Sequence, residues 1–561
     1  MGTALPLQAS LDPDLLNPLR DVMSPDLSFE AALDVHGKYE TRRFVLSLSP
    51  RNHELLEQIE AGLYALGAMP ADAIQAYSTY IHETVHWWQH VGSTSGLMLS
   101  LSYLAQSYSN LTYLRRTLKE FGPIKPLKRW ADEKLCREGA SAQARLADAN
   151  IAINNALDVE YYRRFAMHPG TESRLLQREM HFESVGHSYD IACGQLIGMV
   201  SAALDPDLSF LPDARAWEAK FMHLASTRHE GFYHGSPIRT SPVGLHAIYE
   251  GQARFVQLQF LDGTQTDATT TAFWREQGYL SGIYVEAFEA FLHLSDSRWP
   301  DDLRDPLVSM FLLICDLAIN PTRGFPLDIE IHENFIRDID VGARFSLLCQ
   351  GLARARHLKR SVTDHSREEY AEISEELVGL AGYDHPFSAL TEVNGWMSTQ
   401  PEIQGLMEEY RTFEFGTVNL PVRVFLSHHM AFCVDRLKNP QFFCWPGFWK
   451  TSGNDAARME EVWLRHLSLF TNRGEKSGVY PRRWPDRDED AIKNMFEEFY
   501  ASMAVFDLTR QWILQEGEFV CDYRWLFENY AQSKADAWAN DTFRQMYGVE
   551  LADFEILPAD E

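Results

Sequence analysis

Two histidines four residues apart, His82 and His86, place the strongest constraint on how this chain folds. They lie in the run Ile81-His82-Glu83-Thr84-Val85-His86-Trp87-Trp88-Gln89-His90. In an α-helix residues four apart lie on one face, one turn above the other, close enough to share a ligand. The surrounding residues ask for the same thing, since Ala73, Tyr77, Ile81, Val85 and Trp88 recur at helical spacing and give that helix a face to bury. The helix is expected to start after Pro70, with Asp72 in its first turn, and to end or bend at 92–96, Gly-Ser-Thr-Ser-Gly.

The pattern His82-Glu83-x-x-His86 carries a definite chemistry. Two neutral imidazoles on successive turns can take two corners of a zinc tetrahedron. A glutamate beside the first can reach a metal-bound water and remove its proton. His-Glu recurs at His53-Glu54, His229-Glu230 and His332-Glu333, and none of these has a histidine three positions after the glutamate. The plain alternative is a buried helix whose histidines bond to their neighbours. A zinc site also needs a third protein ligand. The extended motif that supplies one is absent, because Gln89 and Gly92 hold the glycine and histidine places. His90 is too far along the helix to share an ion with His82, about 12 Å away at about 1.5 Å rise per residue.

The best candidate for that ligand lies in Gly244-Leu245-His246-Ala247-Ile248-Tyr249-Glu250-Gly251-Gln252-Ala253-Arg254-Phe255. This stretch has helical periodicity and sets Glu250 beside Gly251 and Ala253, small residues that let a second helix come close. The two helices together resemble the gluzincin branch of the zincin metallopeptidases. That resemblance rests on these two segments alone, and the interval between them is longer than in many gluzincins. It implies a zinc-dependent hydrolase, a metallopeptidase with one zinc per chain. His82, His86 and Glu250 would be the ligands and Glu83 the catalytic base. Zinc-bound water activated by Glu83 would attack a peptide carbonyl. His246, one turn before Glu250, is the rival third ligand or a residue behind it, and Glu183 and His187 form another rival pair.

Composition narrows the remaining classes. A 561-residue chain with 45% hydrophobic residues is long enough for a large core and more than one domain. A net charge of −28 disfavours nucleic acid or an anionic membrane surface as a partner, and a peptide or protein substrate is what the gluzincin resemblance implies. Seven scattered cysteines without a Cys-x-x-Cys pair suit reduced thiols. No basic-then-apolar leader is evident, and the apolar run at Met310–Cys315 is broken by Asp316. A cytoplasmic location is the expectation.

The expected fold class is mainly α. A multi-helix zincin-like core with a short N-terminal strand region spans 46–362, after an arm over 1–45. A helical, aromatic-rich C-terminal region covers 363–561. The expected strand is Thr41–Leu48. Expected helices include Arg137–Phe165, His187–Ala203, Phe273–Leu294, Leu303–Ile319 and Ser366–Leu380. The loop before the Glu250 helix offers Tyr233, His229 and His234 as oxyanion or substrate contacts, with an incidental surface turn as the duller reading. Asp316 reads as a turn contact near Pro321, or as a residue that orients a ligand histidine. His428, His429 and Cys433 read as core or surface. A di-iron carboxylate bundle would need a second Glu-x-x-His. Glu183 to His187, Glu230 to His234 and Glu289 to His293 each have one residue too many. The alternative to the hydrolase is a binding or scaffold protein that keeps a zincin-like fold without turnover.

Overall fold

The motif helix runs from Ala71 to Trp87 in the computed structural model, which describes residues 37–40, 43–61, 69–453, 455–474, 476–484, 486–527 and 531–558. Most of the N-terminal arm, 1–36, lies outside the described residues. From Ser78 to Trp87 this helix is buried on every side rather than on one face. Its polar side chains therefore need partners inside the protein. The hydroxyls of Ser78, Thr79 and Thr84 turn back onto carbonyls of their own helix, those of Gln75 at 2.7 and 3.3 Å and of Tyr80 at 2.7 Å. The Gln75 amide donates to the Tyr279 hydroxyl at 3.3 Å.

A single π-turn, Trp88–Gly92, follows, and the chain then corners into the long helix Thr94–Phe121. The predicted break at 92–96 is where this corner falls. Two features make it possible. The Ser93 hydroxyl caps the new helix, accepting from the Gly96 amide at 3.0 Å. A Cβ at Gly96 would stand 1.8 Å from the Gln89 carbonyl oxygen, so only glycine fits there.

The fold is mainly helical, as its periodicities predict, with a small amount of sheet. The helix Leu245–Gly263 packs directly on the motif helix and is itself enclosed by the helices Ile283–Leu294, Pro306–Ile319 and Pro446–Ser452. Gly447 admits the last of these, since a Cβ there would meet the Val256 carbonyl at 2.2 Å. The expected aromatic-rich segment forms part of this core. Trp88 sits among Phe443, Trp463 and Phe442 at ring separations of 5.0, 5.2 and 5.8 Å. One hydrophobic core joins Phe44 near the start of the described chain to Leu526 near its end, and it is continuous across position 362. A second core gathers Trp130, Ile153, Trp512 and Phe543 beside the two-stranded sheet Ile124–Lys125 with Glu555–Ile556.

The predicted N-terminal strand is present as Val45–Leu48. It pairs antiparallel with Gly37–Glu40 and parallel with Phe470–Arg473, which continues antiparallel into Lys476–Pro481. Two predicted helices are interrupted. Arg137–Phe165 divides among Leu127–Glu138, the single turn Ala140–Gln143 and Ala147–Met167, because Gly139 enters positive φ at 62° and closes the first. Phe273–Leu294 divides between Thr271–Glu276 and Ile283–Leu294 around Gly278 and Gly282, both at positive φ. The other three hold with shifted ends, as Val185–Leu204, Pro306–Ile319 and Arg367–Ala381. Among the described residues no helix is long and apolar enough to cross a membrane, and the seven cysteines are unpaired.

Candidate metal centre

The motif helix and the helix Leu245–Gly263 bring three side chains to one point. His82 Nε2 and His86 Nε2 are 3.2 Å apart. Glu250 Oε2 lies 3.7 Å from the first and 3.5 Å from the second. This trio is the one group of three histidine, cysteine or acidic residues with ligand-metal spacing among the described residues. Atoms about 2.0–2.1 Å from a zinc ion at tetrahedral angles stand roughly 3.3 Å from one another. The observed separations match that spacing, and the donor set of two imidazoles and a carboxylate suits zinc.

Hydrogen bonding orients His86 and decides its tautomer. His86 Nδ1 lies 2.8 Å from Gln89 Oε1. The Gln89 amide nitrogen donates to the Tyr249 backbone carbonyl at 2.9 Å, and to Gln252 Oε1 at 2.9 Å. A backbone carbonyl can only accept, so the nitrogen of the amide must face Tyr249 and the oxygen must face His86. Nδ1 of His86 therefore carries a proton, and in the neutral ring that a metal ligand requires it is Nε2 that offers its lone pair toward His82 and Glu250. This is the second layer of bonding that metal-binding histidines require.

The electrostatics of the trio are those of a cation site. Burial pulls His82 down to about 4, against the opposing influence of Glu250. Burial acts on His86 as well, yet there the Glu250 charge, Glu83 and the Gln89 bond outweigh it and hold the imidazole up at about 9. Burial would raise Glu250, but the two imidazoles overcome it and hold the carboxyl well below its usual range. His82 is thus neutral while His86 and Glu250 form an ion pair, and the buried carboxylate draws a cation to the point where the three meet. Glu83 is buried at 3% exposure, and its charge reaches His86 and Tyr284.

Three residues at this site carry no signal in the sequence. Tyr284 packs edge-on to His82 at a ring separation of 5.9 Å, and burial pushes its hydroxyl pKa up, so the proton is retained. The Arg254 guanidinium lies over the Tyr284 ring at 3.9 Å and is bonded to Gln257 at 2.7 Å. Gln252, as above, supports Gln89. Gly251 explains how Tyr284 comes so near. A Cβ on it would stand 3.3 Å from Ala287 and 3.6 Å from the Tyr284 carbonyl, so this small residue admits Ile283–Leu294. The expectation that it eases the approach of the motif helix is corrected on this point, because the atoms nearest a Cβ on Gly251 belong to Tyr284, Ala287 and Phe311.

The other candidate residues take different places. His246 Nε2 lies 3.9 Å from Glu250 Oε1, on the solvent side of the carboxylate, and packs against His168 at 5.1 Å. It is beside the trio and outside it. His90 is buried against Tyr249. His187 pairs with Asp158 at 3.3 Å and with Glu183 at 3.7 Å. The loop residues make their contacts elsewhere: His234 with the Phe182 carbonyl at 3.3 Å, His229 with the Phe232 ring, and Tyr233 beneath Arg228. The Asp316 side chain accepts from Arg436 and Tyr370, each at 2.8 Å, and orients no histidine, while its backbone carbonyl makes a turn contact before Pro321 by accepting from the Asn320 amide at 2.7 Å. His428 and His429 are buried and bond to the Val424 and Val91 carbonyls, and Cys433 lies 3.4 Å from His429.

Comparison with protein-family models, with curated proteins and with solved structures returned no match for this chain.

Proposed function

We propose that the protein is a zinc-dependent hydrolase acting on peptide bonds, with one zinc per chain held by His82, His86 and Glu250. The observation that carries this reading is the convergence of two imidazole nitrogens and a carboxylate oxygen at 3.2, 3.5 and 3.7 Å. A bound zinc ion would supply Lewis acidity toward a carbonyl oxygen and lower the pKa of water. Glu83 is the base, its carboxylate taking the proton that the attacking water gives up and passing it to the leaving amine. Tyr284, protonated and beside His82, is suited to donate its hydroxyl hydrogen to the oxygen that gains charge. Gln89 keeps His86 in the tautomer that offers Nε2. Substrate approach is assigned to the side of Glu250 and His246, whose side chains are 23% and 38% exposed.

A zincin-like binding protein without turnover is the second reading. It draws on the depth of the motif, since His82, Glu83 and His86 are each less than a tenth exposed. One experiment separates the two. Metal content by plasma mass spectrometry is measured on wild type, His82→Ala, Glu83→Gln and Glu250→Ala, together with cleavage of a peptide library. The hydrolase reading expects near one zinc per chain in wild type and Glu83→Gln, loss in the other two, and cleavage by wild type alone. Zinc without cleavage selects the binding protein. Purification with zinc present that leaves every form metal-free rejects the hydrolase reading and leaves a helical binding protein.

A further inference from the structure

The long helix Glu489–Leu514 borders a cavity of about 280 Å³ to which neither motif helix contributes. Its face at Tyr500, Met503, Ala504, Asp507 and Gln511 forms the floor, and the small side chain of Ala504 leaves the space above it open. Tyr103 and Phe506 make one aromatic wall, packed at 5.3 Å. Across from them the chain at 520–526 is stitched to the helix by Gln511, which donates to the Val520 carbonyl and accepts from the Val520 amide, both at 2.9 Å. Trp525 closes one end with the Arg43 guanidinium flat against it at 3.8 Å. The wall is mostly apolar, and the cavity volume is near the lower bound of small-molecule sites.

Four charged side chains line this space, Arg43, Asp507, Arg510 and Asp522, and two of opposite sign, Asp507 and Arg510, lie one helical turn apart. Residues three apart on a helix are neighbours and would ordinarily pair with each other. Here each is held by a partner of its own. Asp507 Oδ2 accepts from the Tyr523 hydroxyl at 2.8 Å and from Gln511 at 2.9 Å. Arg510 Nε donates to Glu160 at 2.6 Å. Among the described residues no hydrogen bond occupies Asp507 Oδ1 or the two Nη atoms of Arg510.

We infer that this cavity binds a free α-amino acid with a bulky apolar side chain. Its ammonium meets Asp507 Oδ1, its carboxylate meets the Arg510 Nη groups, and its side chain lies between Tyr103, Tyr500 and Phe506. The two charges of such a zwitterion are a few ångströms apart, as are side chains one turn apart on a helix. A simple carboxylate would satisfy Arg510 and face Asp507 with a like charge. A simple amine would do the reverse. The cavity is too small for a peptide of several residues, and the assignment is independent of any metal.

The test is calorimetric titration of the full chain with phenylalanine, phenylpropionate and phenylethylamine. Saturable binding of phenylalanine is expected, at least about tenfold tighter than either singly charged analogue, which corresponds to about 1.4 kcal/mol. Asp507→Asn keeps an oxygen acceptor for Tyr523 and Gln511, so it should retain the wild-type circular dichroism and lose about tenfold in phenylalanine affinity. Ala504→Phe fills the cavity and should abolish binding; if that variant fails to fold, Asp507→Asn carries the decision. No binding at about 10 mM phenylalanine, equal binding of an analogue, or unchanged affinity in Asp507→Asn would overturn the inference.

Discussion

Gln89 and Tyr249 clasp each other twice. The Gln89 side-chain amide donates to the Tyr249 backbone carbonyl at 2.9 Å, and the Tyr249 hydroxyl donates to the Gln89 backbone carbonyl at 3.1 Å. This reciprocal pair joins the end of the motif helix to the helix of Glu250. It sets the distance between the histidines and the carboxylate, and the remaining oxygen of Gln89 holds His86. The clasp is therefore a structural joint and a means of aiming the imidazole.

Gln89→Leu should weaken zinc binding by about 10- to 100-fold, the effect usual for losing the partner of a ligand histidine. Gln89→Glu keeps an acceptor for His86 and should retain more of the affinity. Competition with a chromogenic chelator measures both. Equal affinity in wild type and Gln89→Leu would remove Gln89 from the site.

Gly96→Ala tests the corner between the motif helix and the next one. Its Cβ would stand 1.8 Å from the Gln89 carbonyl carbon's oxygen, in a wall made of backbone. Backbone must shift to make room, and a loss of about 3 kcal/mol is expected. Urea unfolding reads this directly. A variant within about 0.5 kcal/mol of wild type would show the corner to be pliable.

Asp316 and Arg436 form a buried ion pair at 2.8 Å, and Asp316 also accepts from Tyr370. Removing one partner leaves a buried charge, so Arg436→Met should lose about 3–5 kcal/mol. Asp316→Leu with Arg436→Met removes both charges and should recover much of that loss. The comparison is a double-mutant cycle by chemical denaturation. Additive losses from the two single changes would mean that the pair is not coupled.

His187 gives a pH dependence. Burial alone would lower its pKa, but its bond to Asp158 and the charges of Asp158, Glu183 and Asp190 raise it to about 9, above the ordinary 6.5. A group whose pKa is raised by folding adds its full stability below the unfolded value and loses it as pH rises through the folded value. Wild type should therefore exceed His187→Asn in stability most at about pH 6, with the difference fading by about pH 10. Urea titrations at several pH values measure it. A constant difference across that range would show that the imidazolium contributes nothing.

Local pattern was sufficient for the helices and for the spacing of His82, Glu83 and His86, because a helix repeats every few residues and its faces can be read from a short stretch. Thus the motif helix, the corner after it and the helix of Glu250 were legible in advance. The breaks at Gly139, Gly278 and Gly282 were not read from apolar spacing, since that spacing continues across a glycine while the backbone does not. Nor was the full burial of the motif helix, which depends on how many other elements surround it.

The composition of the site was decided by packing. Gln89 reaches Gln252 across 163 positions, and Tyr284 meets His82 from a helix whose residues look like plain core. Glu250 was legible as a carboxylate flanked by small residues, but Gly251 serves Ile283–Leu294 rather than the motif helix. Asp316 likewise had a visible polar character and an invisible partner, Arg436, 120 positions away. The order of residues specifies which groups a helix presents. Which of them meet depends on the close packing of several helices at once, where the position of each side chain is set by neighbours distant in the chain.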